Sequence, residues 1–238
     1  MMKKTIGILG GMGPEATAYF FSLIIKRTGA EKDQDHIPII IYNNPKIPPR
    51  TDALLRKGPS PVPLLRKGLR MLEKSGADII VIPCVTAHAF LSRVAKKDKI
   101  HLLDILEETL QYTKKNIPGL TCAGLIASAG TVKSGIFDQA FSKAGITIIK
   151  PSAGDQKSVM EAIFGKKGVK AGFTSGRPRE LILEAAQKLI RQGAEAIIAG
   201  CTEVPLVLRD EDLLVPLIEP LRIAAEVSIM RAGYRVKD

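Results

Sequence analysis

Two stretches of this sequence recur at one displacement. Ile6-Gly7-Ile8-Leu9-Gly10 is echoed by Ala123-Gly124-Leu125-Ile126-Ala127, each a short apolar run leading into small residues and then a helical pattern. Gly76-Ala77-Asp78-Ile79-Ile80-Val81-Ile82-Pro83-Cys84 is echoed by Gly193-Ala194-Glu195-Ala196-Ile197-Ile198-Ala199-Gly200-Cys201. Both pairs are separated by 117 positions (124 − 7 and 201 − 84). Chance can produce one such match. Two distant segments at a single offset argue for duplicated halves. A chain of 238 residues is long enough to bury two small cores.

Each half alternates apolar runs with amphipathic stretches. Strands are expected at 5–9, 37–42, 78–83 and 100–103, then at 121–127, 146–150, 196–200 and 215–218. Helices are expected at 15–27, 64–74, 106–115, 135–144, 179–191 and 220–232. Gly29, Gly76, Gly145 and Gly193 stand where left-handed helix caps are wanted. Four to six aliphatic residues without alternation suit parallel strands covered on both faces. The expected fold class is therefore α/β, with two similar domains, each a parallel sheet flanked by helices, and the active site in the cleft between them. The domains are expected at 1–103 and 104–219, with the C-terminal helix 220–238 as a candidate to join the first. The 114–119 stretch is a loop candidate between them.

Composition narrows the function. Only 5% of residues are aromatic and Trp is absent, so aliphatic packing has to dominate. The net charge of +11 permits an anionic partner. Yet the basic residues are scattered, as at Lys96, Lys97 and Lys99 or Lys166 and Lys167, with no aromatic residues interleaved. A solvated lysine surface is the plainer reading, so no nucleic-acid partner is expected. Such a field also helps attract an acidic small molecule. No apolar run approaches the roughly 18–20 residues of a membrane helix, so no membrane partner is expected. Lys3 and Lys4 precede an apolar stretch, but Gly10, Gly11, Gly13 and Pro14 end it too soon for a secretion signal. Three cysteines, at no zinc spacing, suggest a reduced, cytoplasmic protein with no metal.

In open α/β sheets, ligands bind beyond the carboxyl ends of the strands. Cys84 and Cys201 each follow directly on a β-run, with Thr86 and Thr202 close behind near a helix start. Two like domains facing each other put these strand ends on opposite walls of one cleft. A single free cysteine is usually inert packing, and Cys122 fits that description because it begins a strand and its repeat position is Thr5. The Cys84/Cys201 pair recurs with its whole context. Two thiols facing one cleft suit racemisation, in which a proton leaves one face of a carbon and another returns on the opposite face. One sulfur must then be thiolate and the other thiol, with roles swapping with the hand of the substrate. Backbone N–H groups at the helix starts are placed to stabilise the thiolate and the substrate carboxylate.

Four motifs carry a family resemblance: Gly7-Ile8-Leu9-Gly10-Gly11-Met12-Gly13-Pro14, Asn43-Asn44-Pro45-Lys46-Ile47-Pro48-Pro49-Arg50-Thr51, Pro83-Cys84-Val85-Thr86-Ala87-His88 and Gly200-Cys201-Thr202-Glu203. Together they resemble the aspartate/glutamate racemase family, and its aspartate racemase branch in particular. The resemblance spans essentially the whole chain. It implies a two-domain α/β protein without a cofactor, catalytic Cys84 and Cys201, an acidic amino acid (aspartate, or glutamate) as substrate, and a homodimer. Arg50 matches a substrate-carboxylate arginine, set in a loop stiffened by Pro48 and Pro49. Lys170, in Gly168-Val169-Lys170-Ala171-Gly172, matches a second carboxylate-binding lysine. Met12, Thr86, Ser128, Thr131, Thr202 and Glu203 complete the expected substrate contacts, although helix capping also suits the hydroxyls. Val85 stands where the family normally has Asn, and an isopropyl group cannot replace an amide's hydrogen bonds. His88 either tunes the thiol or packs.

Other readings share some of these features. Gly11-Met12-Gly13-Pro14-Glu15-Ala16 matches a dinucleotide fingerprint after a strand, but the next strand ends at Asn43-Asn44 rather than at an acidic residue. A pyridoxal-phosphate racemase explains neither the duplication nor the cysteine pair. A related cysteine-dependent isomerase or decarboxylase of another dicarboxylic acid keeps both. A non-catalytic binder of acidic amino acids is kept open by Val85.

Overall fold

The structure is a computed structural model that describes residues 3–94 and 101–237. Its chain divides into two compact units, Met1–Glu108 with Leu221–Asp238, and Thr109–Pro220.

The first unit runs β1 (Ile6–Gly10), α1 (Pro14–Arg27), β2 (Ile39–Asn43), α2 (Arg50–Leu54), α3 (Val62–Lys74), β3 (Ile79–Val81), α4 (Leu91–Val94) and β4 (His101–Leu102). Helix α5 (Ile105–Asn116) leads into the second unit. There follow β5 (Cys122–Ile126), α6 (Ala129–Ser134), α7 (Ile136–Phe141), β6 (Thr147–Ile149), α8 (Ala153–Phe164), α9 (Arg177–Arg191), β7 (Ala196–Ala199) and β8 (Leu217–Ile218). Helix α10 (Pro220–Arg231) returns to the first unit. The sheets have orders β2-β1-β3-β4 and β6-β5-β7-β8, and every pairing is parallel. The fold is therefore α/β, with two four-stranded parallel sheets flanked by helices. Among the described residues, no helix is long and apolar enough to cross a membrane.

The duplication is kept in the hydrogen bonding of the central strands. Ile6, Gly7 and Ile8 pair with Ile79, Ile80 and Val81, and Ala123, Gly124 and Leu125 pair with Ala196, Ile197 and Ile198. Every member moves by 117. The covering helices follow the same rule. A Cβ on Gly7 would lie 2.7 Å from Ala77 Cβ, 3.3 Å from Ile80 and 3.5 Å from Leu72; one on Gly124 would lie 2.8 Å from Ile197 and 3.0 Å from Leu189. Glycine is needed at both places because the neighbouring side chains leave no room for a Cβ: Ala77 in the turn after α3 closes on Gly7, and Ile197 of β7 with Leu189 of α9 close on Gly124. Leu65, Gly68, Leu69 and Leu72 of α3 and Ile182, Ala185, Ala186 and Leu189 of α9 form the two matching buried faces. Both helices are followed by a left-handed glycine, Gly76 (φ 88°) and Gly193 (φ 98°). An acidic residue then accepts a strand N–H. Asp78 Oδ2 takes Thr5 N at 2.8 Å, and Glu195 Oε2 takes Cys122 N at 3.2 Å. Thus Asp and Glu recur here because each satisfies the first donor of a central strand.

The edge pairings do not keep the spacing. Gly7 faces Ile40, whereas Gly124 faces Ile149. Central strands are buried on both faces and admit no slip; β2 and β6 are only half covered, so insertions were tolerated before them.

Several expectations need correction. Gly29 is not a left-handed cap. Thr28 leaves α1 in extended geometry (φ −73°, ψ 127°) and bridges Val236, while Gly29 N–H donates to Arg235 O at 2.8 Å. The chain needs extended backbone there to pair with its own C-terminal segment. Helix α5 continues through Asn116 into the 114–119 stretch read as a loop. The 135–144 helix is α7 followed by a 3-10 turn, Ser142–Ala144. Cys122 is half-buried at the start of β5 rather than packed in the core. Helices α2, α4, α6 and α8 were not anticipated. Ile100, the expected first residue of β4, and Lys96, Lys97 and Lys99 lie outside the described residues.

Candidate active site

Cys84 lies just past β3 and Cys201 just past β7, at the carboxyl ends of matching central strands. The backbone repeats here too: Ala87 N–H donates to Cys84 O at 3.0 Å, and Val204 N–H donates to Cys201 O at 3.0 Å. Each cysteine carbonyl thereby closes an i→i+3 turn; Cys84 leads directly into a 3-10 helix, Val85–Phe90, whereas after Cys201 the 3-10 helix Val204–Leu206 is opened by Glu203. Both thiols are free, and the residues are 4% and 6% exposed.

In the first unit, Met12, Ile47 and Cys84 share one apolar cluster. Arg50, the first residue of α2, ties the loops around it together. Its Nη1 donates to Ile47 O at 3.3 Å and Pro48 O at 3.1 Å, and its Nη2 donates to Met12 O at 2.9 Å. Nε is buried without a partner. The glycine motif allows the approach. Gly11 has φ +94°, and a Cβ there would lie 2.3 Å from the Asn44 carbonyl carbon and 2.5 Å from its N and O. Gly11 N–H donates to Thr17 Oγ1 at 2.9 Å. The Gly10-Gly11-Met12 turn and the Asn43-Asn44 turn are thus in backbone contact, which brings Met12 and Arg50 together. Thr86 is buried (7% exposed). Val85 is fully covered at 1%, so it offers a ligand no polar group and almost no surface.

His88 Nδ1 lies 3.1 Å from Cys84 O. A carbonyl only accepts, so Nδ1 carries the proton and Nε2, buried and without a partner, is the bare nitrogen. Burial pushes the His88 pKa below its usual value; the nearby Asp104 carboxylate and its backbone contacts oppose the shift. His88 therefore packs as a neutral ring that braces the Cys84 carbonyl.

The second unit holds Ser128, Thr131, Lys170, Cys201, Thr202 and Glu203. Ser128 and Thr131 are each 1% exposed. Ser128 Oγ accepts Thr131 N–H at 3.4 Å and lies 3.1 Å from Thr131 Oγ1, capping α6. Glu203, 2% exposed, connects the rest. Its Oε2 accepts from Cys201 Sγ at 2.9 Å and from Thr202 Oγ1 at 3.2 Å. Its Oε1 forms an ion pair with Lys170 Nζ, which also lies 5.5 Å from the centre of the Phe164 ring. Burial, reinforced by the Glu203 carboxylate, pushes the Cys201 thiol well above its ordinary pKa, with the Lys170 charge acting the other way.

Sequence reasoning named Lys170, Glu203 and Cys201 separately and missed their connection. Lys170 and Glu203 are 33 positions apart, and no periodicity links them. It also missed Gln156, on α8, whose Nε2 donates to Ala127 O at 3.0 Å. The signal for α8 was present: Ser152 caps it, accepting Asp155 N–H at 3.2 Å, in the Ser-x-x-Asp pattern of a helix start. Among the described residues, no group of three or more His, Cys, Asp or Glu side chains is placed to hold a metal ion.

The chain resembles known proteins over most of its length. The profile of the Asp/Glu/Hydantoin racemase family matches residues 9–227. The broad specificity amino-acid racemase RacX of Bacillus subtilis is 28% identical over 229 residues, covering 94% of this chain and 96% of that protein. The solved structure of Picrophilus torridus aspartate racemase superposes with a TM-score of 0.87 at 33% identity, covering 98% of this chain and 96% of its own. Glutamate racemase from Francisella tularensis shares the fold, with a TM-score of 0.68 at 19% identity over 97% of this chain and 81% of its own. With the family profile matched over residues 9–227, nearly its full length, the chain belongs to the Asp/Glu/hydantoin racemase family.

Proposed function

We propose that the protein racemises an acidic amino acid without a cofactor, with Cys84 and Cys201 acting on opposite faces of one α-carbon. The observation that carries this reading is the repeated station: two free, buried thiols, each just beyond a matching central strand and each with its carbonyl accepting the N–H three residues on. In the forward direction one thiolate takes the α-hydrogen as a proton, and the other thiol delivers its proton to the opposite face. The reverse reaction exchanges the roles.

An α-carbon next to a carboxylate is a weak acid, so the site has to stabilise the carbanion through that carboxylate. Arg50 is suited to hold it. Its backbone partners are neutral carbonyls, so its positive charge is not cancelled, and its buried Nε–H still wants an acceptor. Met12, whose carbonyl Arg50 grips, sets the adjacent wall. Thr86, Ser128, Thr131 and Thr202 are the buried hydroxyls proposed as further donors to substrate. Lys170 and Glu203 are proposed as the contacts to the second carboxylate and the ammonium group, respectively.

A second reading widens the substrate range. Val85 presents no amide, and the RacX relative is named for broad specificity. Incubating the protein with a panel of L-amino acids in deuterated water, followed by chiral analysis, tests both. Fast α-deuteration and D-product from aspartate or glutamate support the first reading. Comparable rates across neutral amino acids support the second. Deuteration of none contradicts both.

A further inference from the structure

The duplication is broken beside the thiols, where Val85-Thr86 follows Cys84 and Thr202-Glu203 follows Cys201. Two residues after Cys201 stands Glu203; two residues after Cys84 stands Thr86, the same station 117 positions earlier. Cys201 therefore has a carboxylate where Cys84 has a neutral hydroxyl. That carboxylate is buried, ion-paired with Lys170, and accepts at one oxygen from both Cys201 Sγ (2.9 Å) and Thr202 Oγ1 (3.2 Å). An ionised carboxylate has no proton to donate. The 2.9 Å contact is therefore an S–H donating to oxygen. A thiolate at the same place would set two negative charges against each other in an apolar cluster that includes Val204, Val207 and Leu208. Cys84 and Cys201 are almost equally buried, so exposure does not distinguish them; the carboxylate does.

We propose that Glu203, besides its contact with substrate, keeps Cys201 as the proton-bearing thiol in the free protein, so that proton abstraction starts at Cys84. This rests on the two-thiol racemase reading. In the step it implies, the Cα–H bond breaks as S–H forms on Cys84. The Cys201 S–H bond breaks as the new Cα–H forms on the opposite face. The net result is inversion of the carbon and relocation of one proton from Cys201 to Cys84. Exchange with solvent and the pull of Glu203 then restore the resting form. The hand of substrate whose α-hydrogen meets Cys84 reacts with the resting protein directly; the other hand waits for the proton to move.

The test is a thiol titration without substrate. With Cys84 and Cys122 both changed to Ala, Cys201 is the sole thiol, and its thiolate is followed by ultraviolet absorbance and by the pH dependence of iodoacetamide alkylation. The expected midpoint lies above the ordinary thiol value of about 8.5. Glu203→Gln lowers it by about one pH unit or more, at least tenfold in proton affinity, because the opposing charge goes and Lys170 is released toward sulfur. Lys170→Met raises it. A loss of packing does not move one variant down and the other up. A midpoint at or below about 8.5 with Glu203 intact overturns the proposal, and so does one that stays put or rises in Glu203→Gln. The first of these needs no change at position 203, so it holds even if Glu203→Gln fails to fold. Absence of α-deuteration with every amino acid instead overturns the racemase reading itself, while deuteration with an unmoved midpoint removes only the role of Glu203.

Discussion

Gly11→Ala tests how the glycine motif builds the Arg50 side of the site. Two penalties are readable from the structure. Gly11 sits at φ +94°, in left-handed space where an L-residue loses about 1–2 kcal/mol. The new Cβ would also lie 2.3–2.5 Å from the Asn44 backbone. Ordinary carbon contacts are about 3.5–4.0 Å, so the Asn44 turn must retreat by about 1 Å or more. That retreat moves the loop leading to Arg50, and a misplacement of about 1 Å in a reacting group can lower the rate on the order of 100-fold. Gly76→Ala is the control: φ is +88°, but nothing lies within 4 Å of the added Cβ, so it carries only the backbone penalty. Urea unfolding of both variants isolates the clash as the difference between them, and initial racemisation rates read the displacement. Gly76→Ala is expected to lose about 1–2 kcal/mol with its rate retained. Gly11→Ala is expected to lose more stability, and about two orders of magnitude in rate. Equal stabilities and equal rates in the two variants would show that the close approach of Gly11 to Asn44 does not hold Arg50 in place.

Further outcomes follow from the same geometry. Cys84→Ala and Cys201→Ala are each expected to abolish racemisation, with the surviving thiol supporting α-deuteration from one hand of substrate only; full racemisation by either variant contradicts the mechanism. Leu72→Ala and Leu189→Ala, at equivalent places on α3 and α9, are each expected to cost about 2–5 kcal/mol of stability in denaturant unfolding. His88 has a lowered pKa when folded, so the unfolded chain binds the extra proton more readily. Stability is then present above about pH 6.5 and is lost as pH falls toward the folded value. His88→Gln should flatten that dependence in urea midpoints measured across the acidic range; an unchanged slope would show that the ring is not the titrating group.

The central strands were legible because burial on both faces leaves an uninterrupted aliphatic run, as at Ile6–Gly10 and Ala196–Ala199. The duplication was legible because the same positions meet across the sheet, Gly7 with Ile80 and Gly124 with Ile197, and an added methyl is refused at both glycines. Gly29 misled because the C-terminal segment, more than two hundred residues away, pairs with the chain there and overrides the local cap signal. Helix α8 was missed because its buried positions are few, Val159, Ala162 and Ile163, and its cap was the stronger sign. The cysteines announced themselves by their repeated context. The ion pair that ties Lys170 to Glu203 joins a glycine-flanked turn to the Cys201 turn, a relation that exists only once the second sheet has closed.

Chemical bridging reads out whether Cys84 and Cys201 act on one carbon. In a Cys122→Ser background, the protein is treated with one equivalent of dibromoacetone, digested, and mapped by mass spectrometry. Two sulfurs that address one carbon are close enough to be joined through this short reagent, so a single peptide pair linking Cys84 to Cys201 is expected, with loss of activity. Separate single adducts on the two cysteines, with no linked pair, would contradict the account.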